Sequence, residues 1–347
     1  MTTPHPYKNL PPQAYWSTAV RNVHFADIDN LWEPMPLKKT DRVATAGSCF
    51  AQHLGINLAK RGARFMDMEP APITFSSDSE KKRWGFGVFS ARFGNIYTAR
   101  QLLQLIQEVL GQRSPQEIVW EKDGRYFDAL RPGIDPVGQS SAEEVIELRS
   151  SHLRAVRRMF SELDVLVFTM GLTEGWGSVG DGTVYPVAPG TVAGEYDPNK
   201  YFFKNWSYGE ILEDMNEFWR LLHSINPGAR MLLTVSPVPL AATATSSHVL
   251  VATTYSKSVL RAVAGDLAEQ NEDIWYFPSY EIISSPPFRG SFFEPDARSV
   301  NQFGVDLVMK NFFSGRLGEE FGGDAPLTGD DTELICDEEV LDVHRDV

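Results

Sequence analysis

The chain has 347 residues, of which 42% are hydrophobic and 22% charged, a composition typical of a globular protein with one large core or two small ones. No apolar run reaches the roughly 18 to 20 residues of a membrane span. The first ten residues also lack the features of a secretory signal, so we expect a cytoplasmic protein without membrane contact. The net charge of −14 argues against nucleic-acid binding and favours a small or neutral ligand.

The two ends of the chain differ in composition from the middle. Residues 1–40 are rich in proline and aromatic residues with little periodicity, which predicts an extended arm on the surface of the body. Residues 318–347 contain eleven acidic residues and one arginine, which predicts a solvated, flexible tail or, alternatively, a docking segment for a basic partner. Between them, residues 41–317 are predicted to form one domain. The composition gives no indication of the oligomeric state.

The domain begins with a predicted strand at 41–46, a helix at 49–61 and a second strand at 63–68. Three helices follow, at 142–162, 208–225 and 255–270, and each precedes an apolar strand, at 165–170, 231–235 and 274–277. Buried strands that alternate with amphipathic helices predict an α/β fold with a parallel sheet covered on both faces. Two Asp-Gly dipeptides predict hairpin insertions at 118–130 and 179–187, as pocket walls or as surface decoration.

Polar or glycine-rich segments follow the predicted strands, and the carboxyl edge of a parallel sheet is where ligand sites form. Ser48 lies between the first strand and its helix, where backbone N–H groups of the first helical turn face any oxyanion formed at its hydroxyl. Gly47 leaves room for a substrate beside it. The alternative is that Ser48 only caps the helix. Cys49 is a second candidate nucleophile or, alternatively, a small buried residue.

Neither Cys49 nor Cys336 has a second Cys or a His at metal-ligand spacing, so we predict no disulfide framework, no metal site and no cofactor.

Residues 47–51 read Gly-Ser-Cys-Phe-Ala, and on this motif the chain resembles the GSCFA family, which is similar to the SGNH/GDSL esterase and acyltransferase superfamily. The resemblance extends over most of 35–315. Further segments resemble the blocks of the family, namely 89–98, 169–174, 234–238, 255–258 and 276–281. The resemblance implies a three-layer α/β/α sandwich of SGNH-hydrolase type, flavodoxin-like, with a central parallel sheet.

The resemblance also implies site residues. Ser48 would attack an ester carbonyl, Gly94 would supply an oxyanion N–H, and Gly171 would begin the segment that reads Gly-x-Asn-Asp in the superfamily. Thr173 stands where that segment has Asn, and its hydroxyl can still donate one hydrogen bond. Asn95, beside Gly94, is another candidate donor. Glu174, which stands in the Asp position, is either part of the site or a solvated loop carboxylate.

The expected base is missing from its usual place. The superfamily ends in Asp-x-x-His, whereas this chain has Asp296 followed by Ser299, and a serine cannot act as a general base at neutral pH. His53 follows Ser48 too closely to face it. His248, in a predicted loop on the edge that carries Ser48, is the better candidate, with Asp296 orienting it. Otherwise His248 is an ordinary loop residue, and Asp296 a structural carboxylate paired with Arg298 or Lys257.

These residues support three hypotheses. The first is a serine-dependent acyl-ester hydrolase or acyltransferase that acts on an O-acylated glycan or small metabolite through an acyl-Ser48 intermediate. The second is a non-catalytic ligand-binding module. The third, a nucleotide- or phosphate-binding α/β protein, is disfavoured because no glycine-rich phosphate motif occurs at a strand end. Aromatic residues near the edge could stack on sugar rings or simply fill the core; they are Trp84, Trp176, Tyr185 and Trp206.

Overall fold

The structure is a computed structural model that describes residues 5–48 and 50–322. The strands in these residues are β1 (Arg42–Gly47), β2 (Arg64–Phe65), β3 (Val119–Lys122), β4 (Arg125–Asp128), β5 (Val165–Met170), β6 (Glu174–Ser178), β7 (Val184–Tyr185), β8 (Tyr201–Asn205), β9 (Arg230–Val235) and β10 (Ile274–Tyr276). The α-helices are α1 (Phe50–Lys60), α2 (Asp78–Arg83), α3 (Ala99–Val109), α4 (Ala142–Glu162), α5 (Tyr208–Ile225), α6 (Val249–Gln270), α7 (Ser279–Ser284), α8 (Gln302–Phe312) and α9 (Gly315–Phe321).

Five parallel strands form the central sheet, in the order β10-β9-β5-β1-β2. Parallel neighbours need crossover connections, and helices α1, α4, α5 and α6 lie in those connections. The prediction of an α/β fold with a central parallel sheet is therefore confirmed. From β1 the chain passes to β2 on one side and later to β5 on the other. The β1/β5 boundary is thus the point at which strand order reverses, where such sheets bind ligands.

The strands of this sheet are apolar on both faces. One face packs against α1, α7, α8 and the segment before β1, through residues that include Val43, Val165, Val167 and Leu232. The other packs against α3, α4, α5 and α6, through residues that include Ala44, Leu166, Phe168 and Leu233. Successive side chains of a strand point to opposite faces, so a sheet covered on both faces requires almost continuous apolar strands, as found here.

The segment before β1 contains three short helical turns, at 12–14, 17–21 and 25–27, and then packs on the body. Met35 and Leu37 are buried, and the Trp32 indole donates to the backbone oxygen of Asn311 at 2.9 Å. At the other end, residues 318–321 of the predicted tail belong to α9, because Leu317 and Phe321 are buried in the same core. Residues 323–347 of that tail lie outside the described residues.

Both predicted hairpins are present. Strands β3 and β4 pair antiparallel about Asp123 and Gly124, which have φ of +51° and +72°, the positive angles that a tight two-residue turn requires. The hairpin predicted at 179–187 begins earlier, because its first strand, β6, is Glu174–Ser178 and pairs with β7. On its other edge β6 pairs with β8, which the sequence did not predict. Since β6 begins at Glu174, this small three-stranded sheet starts next to the end of β5.

Candidate functional site

The junction between β1 and α1 is built around Gly47. Its φ of +127° is rarely adopted by other residues, and a Cβ at this position would lie 2.3 Å from the backbone oxygen of Thr169 on β5. Glycine therefore allows β1 to end in close contact with β5. Ser48 follows directly, and its N–H donates to the same Thr169 oxygen at 3.1 Å. Ser48 is thus fixed at the point where the strand order reverses.

The Ser48 hydroxyl is buried and unsatisfied. The residue is 3% exposed, and its Oγ has no hydrogen-bond partner in the described part of the chain. A buried hydroxyl without a partner is uncommon in folded proteins. The hydrogen bond that a helix-capping role of Ser48 requires is therefore not formed, and the hydroxyl is available for other chemistry. Cys49, the second candidate nucleophile, lies outside the described residues.

Backbone contacts bring two further segments to Ser48. A Cβ on Gly171 would lie 3.1 Å from the Ser48 Cβ, so this glycine allows the end of β5 to touch the serine. The N–H groups of Gly171 and Leu172 both donate to the Tyr97 oxygen, at 3.1 and 2.9 Å. Ile96 in turn donates to the Gly47 oxygen at 2.9 Å. Segments 94–97 and 171–173 are therefore joined to each other and to the Ser48 junction.

The candidate oxyanion donors lie on these two segments. Gly94 has a φ of +68°, and Asn95 beside it is 3% exposed. Thr173 is fully buried, and its N–H donates to the Ser256 Oγ at 3.1 Å. Its own Oγ1 has no partner among the described residues. Thr173 therefore offers a second unsatisfied hydroxyl on a segment that contacts Ser48.

The GSCFA family matches residues 42–312, more than three quarters of the chain, and the match includes all three segments of the candidate site. The chain belongs to the GSCFA family. A comparison with curated proteins gives no match. The family membership therefore identifies the domain, while the chemistry of this GSCFA protein has to be argued from its residues.

Glu174 is buried rather than solvated. Its Oε2 accepts hydrogen bonds from the Thr243 Oγ1 at 2.9 Å and from the Ala244 N–H at 3.3 Å. Burial raises the pKa of Glu174, and these two hydrogen bonds only partly oppose that effect. The interpretation of Glu174 as a solvated loop carboxylate is therefore wrong. In this GSCFA structure it ties the loop after β9 to the start of β6.

His248 lies at the N-cap of α6, because the helix begins at Val249 instead of near 255 as predicted. The imidazole is exposed, and its Nδ1 accepts from the Leu250 N–H at 3.1 Å. This bond uses the Nδ1 lone pair, so a neutral ring carries its proton on Nε2. While His248 caps the helix, neither ring nitrogen has a free lone pair to accept a proton, so His248 would have to release the Leu250 N–H to act as a base. The role of His248 as a base stays a prediction.

The Asp296 carboxylate accepts hydrogen bonds from the residues that directly follow it. It accepts from the Ser299 Oγ at 2.5 Å and from the N–H groups of Ser299 and Arg298 at 2.9 and 2.8 Å. Although partial burial raises the pKa of Asp296, these hydrogen bonds lower it below its usual value overall. The serine in the histidine position thus satisfies Asp296 directly. Neither His248 nor Asp296 forms a hydrogen bond to the Ser48 Oγ.

The remaining candidates have clear surroundings. His53 is buried on α1 beside Phe50, and burial lowers its pKa to about 4. Trp206 and Tyr185 are core residues, whereas Trp176 on β6 is half-buried. Within residues 5–48 and 50–322 there is no cluster of three potential metal ligands, and no helix there could cross a membrane.

We expect Gly47→Ala to lower the free energy of unfolding by about 2 to 5 kcal/mol, because strain at positive φ adds to a clash with the β5 backbone. Urea unfolding measures this. Gly62→Ala is the matched control, since Gly62 has φ +82° but no atom within 4 Å of its added Cβ. Equal losses in the two variants would show that the contact between β1 and β5 does not require glycine.

Proposed function

We propose that this GSCFA protein is a serine-dependent acyl-ester hydrolase or acyltransferase with an SGNH-type fold. The observation that carries the proposal is the Ser48 hydroxyl, buried without a hydrogen-bond partner in the described residues and touching Gly171 at the reversal point of the sheet. The parallel sheet with helices on both faces is compatible with the flavodoxin-like three-layer sandwich of SGNH enzymes.

In the proposed reaction, the Ser48 Oγ bonds to the ester carbonyl carbon, and its proton passes to the base, for which His248 is the candidate. The carbonyl oxygen becomes an oxyanion, and we assign its stabilisation to the Gly94 N–H, the Thr173 hydroxyl and Asn95. The leaving alcohol departs with the proton, which leaves an acyl-Ser48. Water or a sugar hydroxyl then attacks this ester and gives its proton to the base, which returns the proton to the Ser48 Oγ as the acyl group leaves.

For the substrate we propose an O-acylated glycan or a small O-acylated metabolite in the cytoplasm. Support comes from an aromatic cluster that is formed by the small sheet, which begins at Glu174, and by the connection between β7 and β8. The Trp176 ring centroid lies 5.4 Å from that of Tyr196 and 5.5 Å from that of Phe203. Trp176 is half-buried and Tyr196 is exposed, so their rings present a surface on which a sugar can stack.

A non-catalytic ligand-binding module is the second candidate. The observation that favours it is the missing base, since Asp296 is satisfied by Ser299 and His248 caps α6. Such a protein would keep the pocket and its hydrogen-bond donors but would not activate Ser48.

The test is incubation with a fluorophosphonate probe, with intact mass as the readout. We expect one adduct per chain on the wild-type protein, because only an activated serine displaces fluoride from phosphorus at a useful rate. If His248 is the base, labelling disappears in His248→Ala. Labelling that survives in this variant would remove His248 from the mechanism. No labelling of the wild type would favour the binding module.

A further inference from the structure

Helix α6 holds the segment 171–173 at both ends through two adjacent residues. The Lys257 Nζ donates to the Gly171 oxygen at 2.8 Å, and the Ser256 Oγ accepts from the Thr173 N–H at 3.1 Å. Both side chains are buried, with Lys257 at 1% exposure. Burial of an ammonium group is expensive, so a lysine here is not explained by packing alone.

The residues held by this pair contact the candidate nucleophile. Gly171 touches Ser48, and Thr173 carries the unsatisfied hydroxyl that is a candidate oxyanion donor. The Tyr97 oxygen accepts from Gly171 and Leu172 on the other side of the same segment. The Lys257 Nζ thus contacts a residue that touches Ser48, in an interior where charge interactions are stronger than in water.

We propose that Lys257 is a positioning residue for the chemistry of Ser48, which fixes segment 171–173 and favours negative charge at the serine. This proposal rests on the proposed function. By holding the Gly171 oxygen, Lys257 keeps the Thr173 hydroxyl at a fixed distance from Ser48. Its charge stabilises an oxyanion relative to the neutral ester, which is the differential effect that catalysis needs. Lys257 does not replace the missing histidine as a base, because an ammonium group cannot accept the Ser48 proton; its contribution is to the oxyanion.

The test compares Lys257→Met with Lys310→Met, which carries the same substitution at an exposed position on α8. We expect the rate constant of fluorophosphonate labelling to fall about 100-fold in Lys257→Met and to stay unchanged in Lys310→Met. The pH midpoint of labelling is expected to rise by about one unit, because removal of a nearby cation disfavours the anion. A purely structural lysine would not move this midpoint.

Hydrogen exchange provides a readout that does not depend on activity. We expect faster exchange of the Leu172 and Thr173 amides in Lys257→Met, with unchanged exchange in α4 and α5. Should Lys257→Met fail to fold, Ser256→Ala releases the other end of the segment. We expect roughly a tenfold slower labelling in that variant, the effect of one lost hydrogen bond.

The outcomes separate the two proposals. Labelling of Lys257→Met at the wild-type rate and pH midpoint would overturn the positioning role and leave the proposed function intact. No labelling of the wild-type protein would overturn the proposed function. In that case, faster exchange confined to segment 171–173 would support Lys257 as the residue that orders a binding pocket, and unchanged exchange would overturn the positioning role as well.

Discussion

Ser48→Ala is expected to lower the rate of fluorophosphonate labelling by about 10⁴-fold or more, because removal of the attacking atom of a covalent mechanism leaves only binding and oxyanion stabilisation. The fold is expected to survive. The Ser48 Oγ makes no hydrogen bond in the described residues, so its removal leaves no other polar group unsatisfied. Intact mass and thermal unfolding, measured on the same sample, separate loss of reactivity from loss of structure.

Ser236→Ala is the matched control for this experiment. Ser236 is also a buried serine directly after a strand of the central sheet, but its Oγ accepts from the Val238 N–H at 3.3 Å. We expect this variant to be labelled at the wild-type rate. If Ser48→Ala retains an adduct, peptide mapping identifies the residue that carries it. An adduct on Cys49 would show that Cys49, and not Ser48, is the nucleophile.

The elements that sequence predicted best are those with local signals. Helices α4 and α5 begin and end where the apolar period indicates. The Ser141 side chain caps α4, and Ser207 at the N-cap of α5 donates to Glu210. Helix α3 was missed although its capping box, Thr98 with Gln101, is a sequence signal that could have been recognised. The predicted start of helix α6, near 255, is later than the observed start at Val249, because histidine is an uncommon N-cap residue. Strand β8 pairs only through tertiary contacts and has no comparable local signal.

The candidate site also contains a part that the sequence predicts and a part that it does not. Ser48, Gly171 and Thr173 follow strands of the sheet, and sequence position was enough to place them at one edge. What sequence could not show is how the edge is held together, because the Tyr97 oxygen and the Lys257 ammonium reach it from distant elements. A lysine in an amphipathic helix is normally predicted to be solvated, so its burial depends on tertiary packing.

A buried charge network supports the other side of the site. Asp128, at the end of β4, accepts from the Arg131 Nε at 2.6 Å and from the Arg149 Nη1 at 3.1 Å. Arg149, on α4, also donates to Glu108 on α3 at 2.6 Å. Burial raises the pKa of Asp128, but the two guanidinium groups outweigh it and hold the pKa below its usual value. The Asp128 carboxylate thus connects the β3–β4 hairpin to α4, and Arg149 extends the network to Glu108 on α3.

We expect Asp128→Ala to lower the free energy of unfolding by about 3 to 5 kcal/mol, because it leaves two buried guanidinium groups without their shared carboxylate. Urea unfolding measures the loss. Glu217→Ala is the control, since it breaks an ion pair with Arg220 on the solvent side of α5. Exposed pairs contribute little, and we expect no measurable change. Equal stability of the two variants would show that the network does not stabilise the fold.

The same variant tests whether the network positions the oxyanion side of the site. The Arg131 Nη1 donates to the Arg92 oxygen at 2.8 Å, two residues before Gly94. Arg131 and Arg149 also line a cavity of about 30 Å³ together with Asn95. Without Asp128, Arg131 loses its shortest hydrogen bond, and the Arg131 side chain that donates to the Arg92 oxygen is held less firmly.

Labelling of the folded Asp128→Ala protein is therefore expected to be slower than labelling of the wild type. Labelling at the wild-type rate would confine the network to a structural role.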